Sequence, residues 1–302
     1  MLPVELLTEI IHIHIAKNTF SDDHLSLEYS GSSKPHWNLF SSLSLTSKTC
    51  RALALEAWFR VLVIKDNDGN FPFPEIKTKW TREIYCMHIP SWSLDEFVRA
   101  HKVRINGIFQ DHSFPASLNI LEADIRDMPW PSPLPIQRIS ESFPNLRILH
   151  LRQAKIWCGL CHTCCVPKFQ QPCPKTIRYE GGIGLPLHYT RAFSSLSNLE
   201  SVHLTVGMLE TGKTTLGSEE GKNQNLWSGE CDRCMEVMYG DESFRTAWVF
   251  KKDVAPKPPR LSVVEWCFWT KKDTERTQWE HDEYDQDGDW VELEIEDIEH
   301  EE

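Results

Sequence analysis

Two pairs of cysteines carry the clearest chemistry in this 302-residue chain. Cys158-Gly159-Leu160-Cys161 and Cys231-Asp232-Arg233-Cys234 each hold two thiols at a C-x-x-C spacing, at which both sulfurs can reach one tetrahedral ion. Cys158, Cys161, Cys231 and Cys234 are therefore expected to bind one structural zinc, with His162, Cys164 and Cys165 as substitute ligands. The pairs lie about seventy residues apart, too far for a compact zinc finger, so the fold must bring them together. Two other uses remain open for these residues: buried apolar cysteines, or redox-active thiols. A redox knuckle would want a helix start behind it, and Trp157–Cys161 precedes no helical pattern.

Other spacings with chemical meaning lead less far. Gly207-Met208-Leu209-Glu210-Thr211-Gly212-Lys213-Thr214 satisfies the phosphate-loop expression GxxxxGK[ST]. A phosphate loop must feed a helix whose N-terminal amides hold the phosphates, but Leu216–Lys222 has no apolar helical period. It reads as a polar loop, and an NTPase is the weakest alternative for the chain. The thirteen histidines are scattered, and no GxSxG or HExxH occurs. Asp285, Asp287, Asp289 and Glu296 mimic a calcium loop, but Trp290 stands where the sharp turn needs glycine. The expectation is a protein that is not an enzyme, with no organic cofactor.

Charge and hydropathy narrow the setting. From Asp273 to Glu302 there are fifteen acids and one base, Arg276, a net of −14; the other 272 residues hold 29 acids and 31 bases. The acidity thus belongs to a tail, which argues against a nucleic-acid partner. Within it Val291, Leu293 and Ile295 alternate with glutamates as in a strand. No run of eighteen apolar residues and no basic leader is present, so the reading is an intracellular protein of cytoplasm or nucleus, with no membrane partner. In that reducing setting clustered thiols point to metal before disulfide.

The elements that must position the cysteines form a loose repeat. Leu118–Ala123, Leu146–Leu151, Leu199–Leu204 and Leu261–Trp266 each read LxxLxL or a near variant, at spacings of 28, 53 and 62 residues. Earlier apolar segments around Leu62–Ile64 and Ile84–Cys86 extend the series. The pattern resembles the strand segment of leucine-rich repeats, in which one short strand per repeat stacks in parallel on the next. An ordinary α/β domain with short buried strands is the alternative. In a parallel stack, the loops after the 146–151 and 199–204 strands leave on the same edge, which would let the two cysteine pairs meet. The long gaps would hold a degenerate repeat or an inserted loop.

Ahead of the repeats, Leu2-Pro3-Val4-Glu5-Leu6-Leu7-Thr8-Glu9-Ile10-Ile11 opens a helix, with Pro3 suited to a first helical position. Leu6, Leu7, Ile10, Ile11, Ile13 and Ile15 form a broad apolar stripe. After a polar insertion from Asn18 to Trp37 comes Leu43-Ser44-Leu45-Thr46-Ser47-Lys48-Thr49-Cys50-Arg51-Ala52-Leu53-Ala54, and Trp58-Phe59-Arg60 closes the segment. This pairing resembles the F-box, a three-helix module that docks proteins onto the Skp adaptor of a cullin-RING ubiquitin ligase. The resemblance covers about a fifth of the chain. It implies adaptor contacts at Leu2, Pro3, Leu6, Ile10, Leu43, Leu45, Arg51 and Leu53.

The expected organisation is α+β or α/β: an F-box-like helical module at 1–60 with its insertion at 18–37, an irregular leucine-rich-repeat-like domain of short parallel strands at 61–270, and an acidic tail at 271–302. The function the resemblance implies is a substrate receptor of an SCF-type (Skp–cullin–F-box) ligase in the ubiquitin-like conjugation pathway. Its partners would be the Skp adaptor and a target protein that the sequence does not identify. The alternative is a zinc-stabilised protein-interaction scaffold with no ligase link.

Overall fold

A computed structural model describes residues 4–16, 38–64, 74–86, 93–106, 114–128, 131–166, 168–169, 176–211 and 227–270. Leu2, Pro3, the 18–37 insertion, the Gly212-Lys213-Thr214 triplet and the acidic tail, with its strand-like and calcium-like stretches, lie outside the described residues.

Among the described residues three helices come first: α1 (Val4–Ala16), α2 (Asn38–Thr46) and α3 (Lys48–Phe59). The polar Thr46-Ser47-Lys48 junction separates α2 from α3, and the Ser47 hydroxyl caps α3 by accepting the Cys50 N–H at 3.0 Å. Ile11 and Ala57 are buried between the helices, with Leu7, Leu43, Leu53 and Trp58 packed around them. α3 then runs without a linker through Arg60 into β1 (Val61–Ile64), and Trp80, on the π-helical turn Ile76–Trp80, stacks on Phe59 with ring centres 5.9 Å apart.

The body is an α/β structure around a nine-stranded, mostly parallel sheet. Its strands are β1, β2 (Glu83–Cys86), β3 (Lys102–Ile105), β4 (Glu122–Met128), β5 (Ile148–Gln153), β8 (Lys168–Phe169), β9 (Thr176–Glu180), β10 (Ser201–Thr211) and β11 (Val263–Thr270). The lateral order is β1-β2-β3-β4-β5-β10-β11-β9, with β8 beside the end of β10. From β1 to β11 along this path every pair is parallel; β9 closes the edge antiparallel to β11. Each junction repeats one device. The carbonyl just before a strand accepts two N–H groups from the start of the next, as Arg60 does from Arg82 and Glu83, and Glu200 from Ser262 and Val263.

That register builds the core as rows. Leu62, Ile84, Val103, Ala123, Leu149, Val202 and Val264 lie side by side and all are buried; so are Ile64, Cys86, Ile105, Ile125, Leu151, Leu204 and Trp266. A third row, Thr81, Ala100, Ile120, Leu146, Leu199 and Leu261, sits at the turns into the strands. Each fully buried aliphatic side chain in such a row contributes about 1.5–3 kcal/mol. The rows correct one sequence expectation. The first unit begins at Ile120, two residues later than the expected Leu118, which is exposed. They also add β3, a strand the leucine pattern does not mark.

The long spacings hold insertions. The helix α4 (Pro133–Ser142) fills the step from β4 to β5. Between β5 and β10 come a small hairpin of β6 (Ile156–Trp157) and β7 (Cys164–Cys165), then β8, β9 and helix α5 (Leu187–Phe193). Between β10 and β11 stand α6 (Asp232–Gly240) and α7 (Glu242–Asp253).

The opposite face of the sheet is polar. Asp124 accepts from Arg104 Nε at 2.7 Å and from Arg126 at 3.0 Å, with Arg104 lying over the Tyr85 ring. His150 and His203 stack with centres 4.6 Å apart, and His203 Nδ1 meets Glu265 at 3.0 Å. Burial works to raise the Asp124 carboxyl, but the guanidiniums of Arg126 and Arg104 overcome it and hold the group down at about 2. A carboxyl depressed from its ordinary 3.8 contributes stability above that pH and loses it as pH falls through about 2. Asp124→Asn is therefore expected to lower the unfolding free energy by about 3 kcal/mol at neutral pH. Urea titrations from pH 7 to pH 3 should show the gap to the unaltered protein closing below about pH 4; a gap that stays constant across this range would refute the ion-pair explanation.

Candidate metal centre

Two different local structures present the cysteine pairs. The first pair sits at the tip of the β6–β7 hairpin, where Ile156 faces Cys165 and Trp157 faces Cys164. Inside the tip, Cys158 N–H donates to the Thr163 carbonyl at 2.9 Å and His162 N–H to the Cys158 carbonyl at 3.0 Å. His162 takes a left-handed φ of 57°, which turns the chain back directly after Cys161. The second pair opens a helix. Cys231 is the N-cap of α6 and Cys234 lies in its first turn, where the helix dipole favours thiolate over thiol. In the sequence this pair reads as a bare knuckle; in the fold Val237 and Met238 continue a helix that the pattern does not mark.

Because β5 and β10 are parallel neighbours, the chain that leaves each one comes out on the same edge of the sheet. There the sulfurs of Cys158, Cys161, Cys231 and Cys234 lie within 4.8 Å of one another, and Cys161 and Cys231 are 3.8 Å apart. Ligands at about 2.3 Å around a tetrahedral zinc stand about 3.8 Å from each other. The four cysteines can hold a metal ion. Soft thiolates in a tetrahedral set suit zinc or iron–sulfur chemistry and exclude calcium and magnesium. The substitutes are not among the four: the Cys165 sulfur touches Cys231 from the side and lies 3.7 Å from the Ile156 carbonyl, Cys164 is half-buried on the neighbouring position, and His162 is exposed.

The thiols crowd one another. Cys234 is pushed up to about 12 by burial and by the charge of Cys158. At Cys231 the hydrogen bond with Cys158 lowers the value, but contact with Cys165 and burial carry it up to about 12. Cys158 is raised by its hydrogen bond with Cys231 and by burial. Without an ion Cys158, Cys231 and Cys234 are protonated at neutral pH, and a dication has to displace those protons, so affinity rises with pH.

Behind the hairpin tip, His188 of α5 lies edge-on to Trp157 and Tyr189, with both ring nitrogens buried. Burial drives its pKa down to about 3, from an ordinary 6.5, so the folded protein keeps it neutral. The unfolded chain binds the proton below 6.5 and the folded one does not until about 3. Stability is expected to fall by about 1.4 kcal/mol per pH unit from this group as pH drops below 6.5. A flatter urea midpoint against pH in His188→Phe checks this; an unchanged slope refutes it.

The phosphate-loop match does not form a loop at its start. Gly207 to Thr211 belong to the eleven-residue strand β10, whose Glu210 and Thr211 pair with Lys168 and Phe169 of β8.

The N-terminal candidates divide by exposure. Leu6 and Ile10 of α1 are 47% and 53% exposed, Leu45 of α2 and Arg51 of α3 are also exposed, while Leu43 and Leu53 pack inward on the Ile11–Ala57 core. Ile13, 49% exposed and outside the candidate set, completes an i, i+4, i+7 row with Leu6 and Ile10. No protein-family model, curated protein or solved structure matches this chain. Among the described residues no helix is long and apolar enough to cross a membrane.

Proposed function

We propose that this protein is a substrate receptor of an SCF-type ubiquitin ligase, docking on the Skp adaptor through its N-terminal helices and on a target through its sheet domain. The observation that carries the reading is the exposed row Leu6, Ile10 and Ile13 on α1, on a helix whose other side is already satisfied by Ile11 and Leu7. A small helical module gains nothing in its own fold from three large exposed aliphatics, and such patches mark protein partners. They also have the spacing of helix-in-groove anchors. Leu45 and Arg51 belong to the same exposed set; Leu43 and Leu53 act in this reading by holding α2 and α3 against α1.

The sheet is read as an irregular leucine-rich-repeat-like stack. What supports this is the agreement of chain order with lateral order from β1 to β5 and on to β10 and β11, and the buried rows that cross those strands. The metal is read as zinc, because a closed tetrahedral set of four thiolates with no oxygen or imidazole donor is the pattern of structural zinc sites. The test is a pull-down of the purified chain with the Skp adaptor, with zinc measured on the same sample. Stoichiometric capture supports the receptor reading. Absence of binding by intact, zinc-loaded protein removes it and leaves the zinc-stabilised scaffold.

A further inference from the structure

Besides Asp124, a second carboxylate among the described residues is buried with its charge. Glu230 is 2% exposed and stands immediately before Cys231. Its Oε1 accepts from the Ser228 hydroxyl at 2.9 Å, from Trp248 Nε1 at 2.8 Å and from Lys252 Nζ at 3.3 Å, while Oε2 accepts from the Ser228 N–H. Its own carbonyl accepts from Trp227 Nε1 at 2.9 Å. Backbone and side chain of this single residue are therefore both tied down.

The partners show what the ties hold. Ser228 and Trp227 belong to the turn that leads into α6, and the turn is tight: Gly229 has φ 97°, and a Cβ there would come within 3.2–3.3 Å of Pro186, Trp266 and Ile156. Trp248 and Lys252 project from α7. Glu230 thus joins the start of α6 to α7 and to the turn at the one place where Cys231 leaves for the metal. Burying a carboxylate is costly, and well-packed apolar residues are often at least as stabilising as a buried ion pair. Glu230 stands at a point where its direct neighbour in the chain must aim a sulfur. Lys252 balances the charge, so that a tetrathiolate centre, itself net negative when it holds a dication, does not face an uncompensated anion.

We propose that Glu230 is the positioning residue of the metal centre: its carboxylate, held by Ser228, Trp248 and Lys252, pre-forms the Cys231–Cys234 half of the site before the ion arrives. The proposal rests on the metal-binding reading of the four cysteines. Partners that orient ligands of a metal site typically affect affinity by 10–100-fold when removed.

The test uses the full chain and zinc affinity by competition with a chromophoric chelator, together with the visible spectrum of the cobalt(II) form. Glu230→Gln should bind zinc 10–100-fold more weakly and shift the cobalt bands. Asp124→Asn, which breaks a buried ion pair on β4, should lose stability yet keep the zinc affinity of the unaltered protein. Weaker folding of Glu230→Gln with unchanged zinc affinity and an unchanged cobalt spectrum overturns the proposal. Should Glu230→Gln fail to fold, Ser228→Ala and Lys252→Met are read instead, and unchanged affinity in both overturns it equally. A failure of the underlying metal reading looks different: the unaltered protein itself then shows no tetrathiolate cobalt spectrum.

Discussion

Removing the metal is expected to lower the thermal midpoint of this protein by about 10 °C. The length of chain that the ion would clip sets the size of the shift. Cys161 and Cys231 are 70 residues apart in sequence, and a crosslink closing a loop of that size restricts the unfolded chain by about 4 kcal/mol. At about 2–4 °C per kcal/mol for a domain of this size, the shift is about 10 °C. Thermal unfolding of zinc-loaded protein before and after a strong chelator measures it, and Cys231→Ser should reproduce the chelated value. With the ion gone Cys231 and Cys234 take up protons, since they then sit at about 12. Lower pH should therefore release the ion more readily, and the chelator shift should shrink between pH 8 and pH 6. Equal midpoints with and without chelator, together with well under one zinc per chain, would end the metal reading.

Ile10→Asp should abolish capture by the Skp adaptor while leaving the stability of the free protein nearly unchanged. Ile10 is more than half exposed, so its loss removes little from the fold. As a central anchor in a helix interface it would contribute about 2–4 kcal/mol, roughly a 30- to 1000-fold change in affinity. Its neighbour in sequence gives the contrast. Ile11 is buried against Ala57, so Ile11→Ala should cost about 2–4 kcal/mol of stability and reduce adaptor binding only as far as the module unfolds. Adaptor affinity by calorimetry and thermal midpoints for both variants separate the two effects. An Ile10→Asp protein that binds the adaptor as tightly as the parent would falsify the docking face.

The cysteine set is legible in the sequence because its two halves are local patterns, and because parallel strands bring successive loops to one edge. The strand phase is legible where leucines fill the buried positions, as at Leu146, Leu149 and Leu151. At the first unit the sequence offers two leucines, Leu118 and Leu121, on the wrong side of the turn, while the buried positions hold Ile120, Ala123 and Ile125. β3 escapes the leucine pattern because its core side consists of Val103 and Ile105 alone. On α1 every apolar residue looks alike in one dimension, and only packing separates Ile11 from Ile10.

The order of residues alone determines local features: C-x-x-C bites, helix caps, the alternation of strands, and the acidic segment after Asp273. Every relation between distant parts needed the folded chain. Four sulfurs meet because β10 pairs with β5 across 53 residues. Glu230 is a buried anion because Trp248 and Lys252 arrive from α7, 18 and 22 residues later. Asp124 is held ionised by Arg126, two residues on along its own strand, and by Arg104, which only the pairing of β3 with β4 brings beside it. Spacing along a chain sets what neighbouring residues can do together; burial and charge pairing depend on which strands and helices become neighbours, and that is settled by the packing of the whole core.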